Sequence, residues 1–404
     1  MMNKKFLFII LSLMIVGGIV VWKWDSMRWE MEKLRGAILD LNAPTANTLP
    51  TAVAASPEAN QVAPRSTVQS SFEATAPAIF PTKISTPLPL ITPPKFVELK
   101  GVKWEKQDIN NCGAATLAMY LSFYGWKGTQ KDVAEVVHPN VRDKNVRWDE
   151  LVYYVKTNAG WLDALFRVGG DEELLKRFVA NGFPIVIETG YEVVEGWVGH
   201  YLLITGYDDA QKIFIVQDAT GGADRKMKYE EIMEGWQQFN YLYVLVYPPA
   251  KRDVIMALLG DDADEAANRK NALAIAERET KAQPTNAFAW FNLGSNLNYF
   301  DRYAEASKAF DKAREIGLPK RMLFYQFGPY RAYFNSGRYK DVVDLTTFTI
   351  DYRPDVEETY FWRGWAQYQL GKKSLAIADF KSALEVNPTF NDAKVALESV
   401  GVKP

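Results

Sequence analysis

The pattern of apolar and polar positions divides the chain into four segments, and the first of them is apolar. Two lysines precede the run Phe6–Trp22, which carries no charge and is long enough for a secretory signal or a short membrane-spanning helix. The run ends in bulky residues, Trp22 and Trp24, where a signal peptidase needs small ones. We therefore expect residues 1–42 to be a single-pass membrane anchor with its juxtamembrane segment, and a cleaved signal is the alternative.

In residues 43–97 the apolar positions recur neither every second residue, as in a strand, nor every 3.6 residues, as in a helix. Pro, Ala, Thr and Ser dominate this segment, and half of the 20 prolines of the chain lie within 43–94. A segment of this composition cannot bury a core. Because a Pro-rich chain is semi-extended at ~3 Å per residue, we expect a disordered linker that holds the next domain at a distance from its membrane anchor.

Between 98 and 250, helical patterns come first and strand patterns follow. Helices are predicted at 112–124, 130–137, 149–158 and 171–181, and strands at 184–189, 201–207, 212–217 and 241–247. This order predicts an α+β domain rather than alternating βαβ units.

After residue 251 the pattern is helical to the end, and it repeats. Repeats that begin at Asp253, Ala287, Leu323 and Glu357 have a proline near their thirty-second position, and all but the third have glycine at the eighth position and alanine at the twentieth. This register resembles tetratricopeptide repeats. We expect 251–404 to form an all-α solenoid that ends in a capping helix over 392–400 and binds a protein partner or extended peptide in its groove.

Composition and charge exclude several classes of function. The formal net charge is −2, so the chain lacks the basic footprint of a nucleic-acid-binding protein. One cysteine permits no intramolecular disulfide. One cysteine and two histidines nearly exclude a zinc site of the usual type, and we expect neither a metal nor a cofactor. The same scarcity leaves few candidates for thiol chemistry.

Cys112 is the candidate nucleophile. It begins a predicted helix, where backbone N–H groups and the helix dipole lower a thiol pKa. Gly113 allows the backbone to approach a substrate, and Gln107 lies where its side-chain amide could supply a second oxyanion donor. A free cysteine is more often a small buried apolar residue, but the flanking Asn111 and Gly113 favour a polar helix start here.

His200 and Asp218 complete the candidate set. His200 begins a predicted strand, and the next strand ends at Asp218. A hairpin of this length brings the carboxylate beside the imidazole, where it can fix the tautomer and stabilise the imidazolium ion. The second histidine, His138, precedes Pro139 in a loop pattern, and we interpret it as a surface residue rather than the base.

Together these residues resemble the C39-like peptidase family. The resemblance rests on Gln107–Met119 (Q-x4-C-G-A-A-T-L-A-M), on the Gly-His-Tyr at 199–201 before an apolar strand, and on Asp218, and it covers roughly 100–248. It implies a papain-like fold with Cys112 as nucleophile, His200 as general base, Asp218 as its orienting group and Gln107 in the oxyanion hole. Related domains fused to export transporters cut leader peptides, but this chain has no ATPase motif, so that substrate does not carry over. Members of the family often have proline at the positions of Ala114 and Ala219. Neither difference removes a reacting group, so they affect the assignment to a subfamily more than the expected chemistry.

The sequence predicts a membrane-tethered, extracytoplasmic cysteine peptidase that acts on peptide or amide bonds through an acyl-thioester, with the repeats recruiting substrate or partner. Two alternatives stay open. One is transfer of the acyl group to an amine or thiol instead of water. The other is a catalytically inactive peptidase fold that serves as a binding scaffold.

Overall fold

The computed structural model describes residues 90–404 apart from 141, 144, 194 and 195, together with 48–50 and the isolated positions 31, 34, 35 and 39. The predicted membrane helix over 6–22 and most of the predicted linker lie outside the described residues. Within the described part of the chain, no helix has both the length and the apolar character needed to cross a bilayer. The described residues of 48–350 and 355–404 belong to one compact unit.

An antiparallel sheet forms the centre of the first domain. Its order is β2-β7-β3-β4-β5-β6, and β1 pairs with β4 beyond this path. The strands are β1 Phe96–Glu98, β2 Asp163–Arg167, β3 Ile185–Val193, β4 Gly196–Asp208, β5 Ile213–Asp218, β6 Gly222–Lys228 and β7 Tyr243–Tyr247. Strand β4 is buried along nearly its whole length because apolar clusters cover both faces of the sheet.

Five helices accompany the sheet. They are α1 Cys112–Phe123, α2 Gln130–Val137, α3 Trp148–Asn158, α4 Glu172–Ala180 and α5 Tyr229–Gln237. Every residue from Gly113 to Leu121 in α1 is buried, as expected of a helix that is apolar on all sides. The four predicted helices and the α+β order are confirmed, whereas β1, β2, β6 and α5 are additional elements.

Paired helices make up the rest of the chain. They are α6 Arg252–Leu259, α7 Glu265–Ala282, α8 Ala287–Tyr299, α9 Tyr303–Ile316, α10 Gly328–Asn335, α11 Tyr339–Tyr352, α12 Glu357–Gln369, α13 Lys373–Val386 and α14 Asn391–Ser399. The small residues at the eighth repeat position serve close packing: a Cβ on Gly294 would lie 2.7 Å from Phe310, and one on Gly364 would lie 2.5 Å from Phe380.

The third repeat departs from the predicted register. Its first helix begins at Gly328, whereas the predicted start at Leu323 lies in a 3-10 turn over Met322–Phe324. Pro329 lies in the first turn of α10, the position in a helix that tolerates proline best. The predicted start of this repeat is therefore wrong by five residues, while the starts at Ala287 and Glu357 are confirmed.

The repeats are bonded to the α+β domain along its side. Three asparagines on α7 and α8 are at most 1% exposed and reach across to it. Their contacts are Asn268 Nδ2 to Val168 O (2.7 Å), Asn292 Nδ2 to Gln237 O (2.7 Å) and Asn296 Nδ2 to Asn240 Oδ1 (3.0 Å). At the other end of the array, Arg147 Nη1 donates to Glu358 Oε1 at 2.8 Å. The first repeats thus bind the neighbouring domain of their own chain.

Two parts of the predicted linker are ordered against the compact unit. Strand β1 begins at Phe96, so the sheet starts before the predicted boundary at 98. Thr48 forms a β-bridge with Pro319, and Leu49 N donates to Leu318 O at 2.9 Å. The expectation of disorder over 43–97 therefore does not hold for these segments.

Candidate active site

The loop before α1 is held by one buried glutamine that sequence reasoning missed. Gln130 Oε1 accepts hydrogen bonds from Asp108 N (2.7 Å) and Asn111 Nδ2 (2.8 Å), and its Nε2 donates to Lys106 O (2.7 Å). Gln107 N donates to Ala219 O at 2.9 Å, which fixes the loop beside the end of β5. These bonds position Gln107 without using its side-chain amide.

Gln107 has an unusual side chain. Its Oε1 is buried and has no hydrogen-bond partner among the described residues. Buried polar atoms are normally paired, so this carbonyl oxygen can still accept a hydrogen bond. Oxyanion binding would need the other end of the amide, the Nε2 donor, and the predicted role of Gln107 in the oxyanion hole stays a prediction.

Cys112 is the first residue of α1 and is half-buried. The N-cap residue Asn111 makes no side-chain capping bond, which leaves N–H groups of the first turn for other acceptors. Burial would raise the pKa of the Cys112 thiol, but a hydrogen bond and the positive charge of His200 outweigh it, helped by backbone bonds from Tyr201 and Gly113. The pKa is therefore lower than that of an ordinary cysteine, as a nucleophilic thiol requires.

His200 lies on β4 opposite Thr189 and is 5% exposed. Its Nε2 donates to Asp218 Oδ1 at 2.8 Å, which leaves the other ring nitrogen for the Cys112 thiol. Burial would lower the pKa of His200, but the bonds to Asp218 and Cys112 prevail and raise it to about 9. The imidazolium form is thus favoured at neutral pH.

Asp218 ends β5, and the structure brings it to His200 through the β4–β5 pairing. Burial would raise its pKa, but the bond from His200, the imidazolium charge and the backbone N–H groups of Gly221 and Thr220 hold the pKa well below its usual range. Arg225 Nη1 also donates to Asp218 Oδ2 at 2.6 Å. The carboxylate is therefore ionised and fixed from both sides.

His138 is not where the sequence suggested. It is 5% exposed rather than a surface residue, and its Nε2 lies 3.1 Å from Asp143 O. The prediction of a surface histidine is wrong, while its exclusion from the Cys112 set agrees with these contacts.

A buried carboxyl group, Glu188, lies behind the nucleophile and was missed. It is 1% exposed, stands opposite Tyr201 in the β3–β4 pair, and its Oε2 has no partner within the described structure. Burial and the negative charge of Cys112 raise the pKa of Glu188 well above its usual value. The neutral form is favoured, so this carboxyl group adds no negative charge beside the thiol.

The repeats also reach the site. Tyr325 follows the 3-10 turn of the third repeat, is 8% exposed, and accepts a hydrogen bond from the backbone of Gly199. Its ring packs edge-on against Trp197, with centroids 5.5 Å apart. Burial first, and then the charge of Cys112, raises the pKa of Tyr325. No local sequence signal could have identified this residue.

Residues 99–244 match the model of the Peptidase_C39 like family, and 357–390 match the tetratricopeptide repeat. The chain contains a C39-like peptidase domain. In the C39-like domain, Cys112, His200 and Asp218 come together as described, and Gln107 lies beside them. The domain is followed by a helical region that contains the matched repeat.

Several solved structures each resemble a little over a third of the chain. One from Bacillus anthracis described as a C39-like peptidase is 20% identical and covers 38% of this chain and 98% of that chain, with a TM-score of 0.31. A double glycine motif protease from an AMS/PCAT transporter, in complex with the leader peptide, is 20% identical with 38% and 94% coverage and a TM-score of 0.30. MamA is 16% identical with 34% and 82% coverage and a TM-score of 0.30. None of the curated proteins compared with the chain matches it.

A cavity of about 840 Å³ lies between the C39-like domain and the repeats, and its lining includes Tyr191 but not His200 or Cys112. One wall comes from the β3–β4 hairpin of the C39-like domain, where Tyr191 packs edge-on against the His200 ring, and from Trp197. The opposite wall comes from the repeats, through Phe288 and Pro319. Both parts of the chain therefore line this cavity, and the Tyr191 ring links it to the candidate site.

The coupled pKa values of Cys112 and His200 predict a pH profile. Hydrolysis should rise with pH as the thiol ionises below its ordinary pKa, and fall as the pH passes about 9, where the imidazolium loses its proton. Asp218→Asn removes the charge that raises the His200 pKa, so the alkaline limb should move to lower pH by ~1 unit or more. The measurement is kcat/KM against pH for both proteins, and an alkaline limb that does not move would contradict this assignment.

Proposed function

We propose that the protein is a cysteine peptidase that hydrolyses peptide or amide bonds through an acyl-thioester on Cys112. What carries the proposal is the hydrogen-bonded series from Cys112 to His200 to Asp218, in which the thiol pKa is lowered and the imidazole pKa is raised. Cys112 then supplies a thiolate nucleophile, and the neighbouring His200 supplies the acid that protonates the leaving group.

The residues would act in a fixed order. The Cys112 thiolate attacks the carbonyl carbon, and the oxyanion is stabilised by N–H groups at the start of α1 and by the Gln107 amide. His200 gives its proton to the leaving amine as the C–N bond breaks, which forms the thioester. The neutral imidazole then takes a proton from water, whose oxygen attacks the thioester. The C–S bond breaks, the peptide leaves with a new carboxyl group, and the Cys112 thiolate and His200 imidazolium are regenerated. Asp218 keeps the imidazole in the orientation for both transfers.

Trapping the acyl-enzyme tests this function. The full chain is mixed with a peptide library, quenched in acid and analysed by intact mass, and we expect a peptide acyl adduct on Cys112 together with free carboxylate products. Adding an amine in excess separates hydrolysis from transfer, since a transferase would yield amide products. An unmodified Cys112 with no cleavage products would instead favour the binding scaffold.

We also propose that the enzyme is tethered to a membrane with its C39-like and repeat domains outside the cytoplasm. The support is the uncharged run Phe6–Trp22 and the lack of small residues at its end. The intact protein should stay in the membrane fraction after an alkaline wash, and external protease should release a soluble fragment. A mature N-terminus that begins after Trp22 would contradict the anchor and indicate a secreted enzyme.

A further inference from the structure

The contact between Thr48–Pro50 and the repeats has the features of a peptide-binding site. The segment pairs with the connection after α9: Thr48 bridges Pro319, and Leu49 N donates to Leu318 O at 2.9 Å. Leu49 is 2% exposed although the surrounding segment was expected to be disordered. Strand-like main-chain pairing plus one buried apolar side chain is a common way for proteins to bind extended peptides.

A buried arginine completes the contact. Arg314 is 4% exposed, and its Nε donates to Pro50 O at 2.7 Å, while its Nη1 donates to the Tyr333 hydroxyl at 3.0 Å. A buried guanidinium needs acceptors for its N–H groups, and here a carbonyl group 264 residues away in the chain supplies one of them. Pro50 suits this role because it offers a carbonyl oxygen and brings no unpaired N–H.

The backbone of the receiving loop is shaped for close approach. Gly317 has a φ of +120°, which L side chains rarely adopt, and a Cβ there would lie 3.4 Å from Thr48 Cγ2. Thr48, Gly317 and Pro319 all line the cavity that reaches Tyr191. The docked segment therefore forms part of the wall of the cavity that Tyr191 lines.

We propose that Arg314 and Gly317–Pro319 form a docking site for an extended, uncharged peptide, and that its resident ligand is the chain's own Thr48–Pro50 segment. The repeats would then bind a segment of their own chain, which precedes the C39-like domain, in addition to the separate partner expected from the sequence. The docking does not depend on the proposed hydrolysis.

A binding experiment tests the docking. A fluorescent peptide of residues 45–52 is titrated by anisotropy into the full-length protein and into full-length Leu49→Asp. A segment tethered to its own site competes at an effective concentration on the order of mM, so the wild-type protein should bind the peptide at least ~10-fold more weakly than Leu49→Asp. The peptide that carries the same Leu49→Asp change should bind neither protein, and this control alters the ligand without risk to the fold.

Matched variants sharpen the result. Leu90→Asp alters another leucine, which is 39% exposed and precedes the sheet, and it should leave peptide binding at the wild-type level. Adding Arg314→Ala to Leu49→Asp should remove the gain in affinity. Equal peptide binding by wild type and Leu49→Asp, or none by either, would overturn the proposal, and both outcomes can be read whether or not the protein hydrolyses peptides.

Discussion

Replacing Cys112 with alanine should abolish turnover while the fold survives. The side chain is small and half-buried at the start of α1, so the change removes the nucleophile and little packing. Loss of the nucleophile in a comparable triad lowers kcat on the order of 10⁶-fold, which would take hydrolysis below detection. The measurement is the rate of peptide hydrolysis at equal protein concentration, with circular dichroism to show that the variant is folded.

A serine variant is the matched control. Cys112→Ser keeps a hydrogen-bonding side chain of similar size, but a hydroxyl is far less ionised than a thiol near neutral pH, so its activity should also be very low. Both variants should lose the alkylation signal completely because the chain has no other cysteine. Turnover that persists in Cys112→Ala would move the chemistry to another residue and end the cysteine peptidase proposal.

Replacing His200 with alanine should give the second-largest loss. A positioned general acid and base contributes ~10²–10⁴ in rate. The change also acts on the thiol, since burial alone would raise the pKa of Cys112 once the bond and charge of His200 are gone. Alkylation of Cys112 at pH 7 should therefore slow down, and its pH midpoint should move upward.

The other histidine supplies the comparison. His138→Gln keeps a side chain that can bond to Asp143 O, and its turnover and Cys112 alkylation rate should match those of the wild-type protein. If His200→Ala left both measurements unchanged while His138→Gln lowered both, the thiol would have a different base from the one on β4.

The site residues that the sequence predicted are those whose roles can be inferred from residues close to them in the sequence. Cys112 was recognisable because it begins a helix between Asn111 and Gly113. His200 and Asp218 were recognisable as a pair because they lie on consecutive strands joined by a short turn, so that hairpin geometry alone brings them together. The helices carried clear apolar periodicity and were predicted for the same reason.

The missed features depend on distant partners. Strand β6 reads Gly-Ala-Asp-Arg-Lys-Met-Lys, a charged edge strand without the apolar alternation that marks a strand. Glu188 lies in an apolar strand and gave no sign that burial and the charge of Cys112 would raise the pKa of its carboxyl group. Tyr325 comes from a repeat more than 100 residues after Trp197, and a single sequence does not indicate that the two rings pack together.

The asparagines that bond the repeats to the C39-like domain have a consequence for how the molecule loses its structure. Stacked repeats with neighbour-only contacts can open from one end in steps. Here Asn268, Asn292 and Asn296 are buried against the adjoining domain, so opening the first repeats also leaves acceptors in that domain unpaired. We therefore expect the repeats and the C39-like domain to unfold together, so that damage to the repeats also lowers the population in which the Cys112 site is intact.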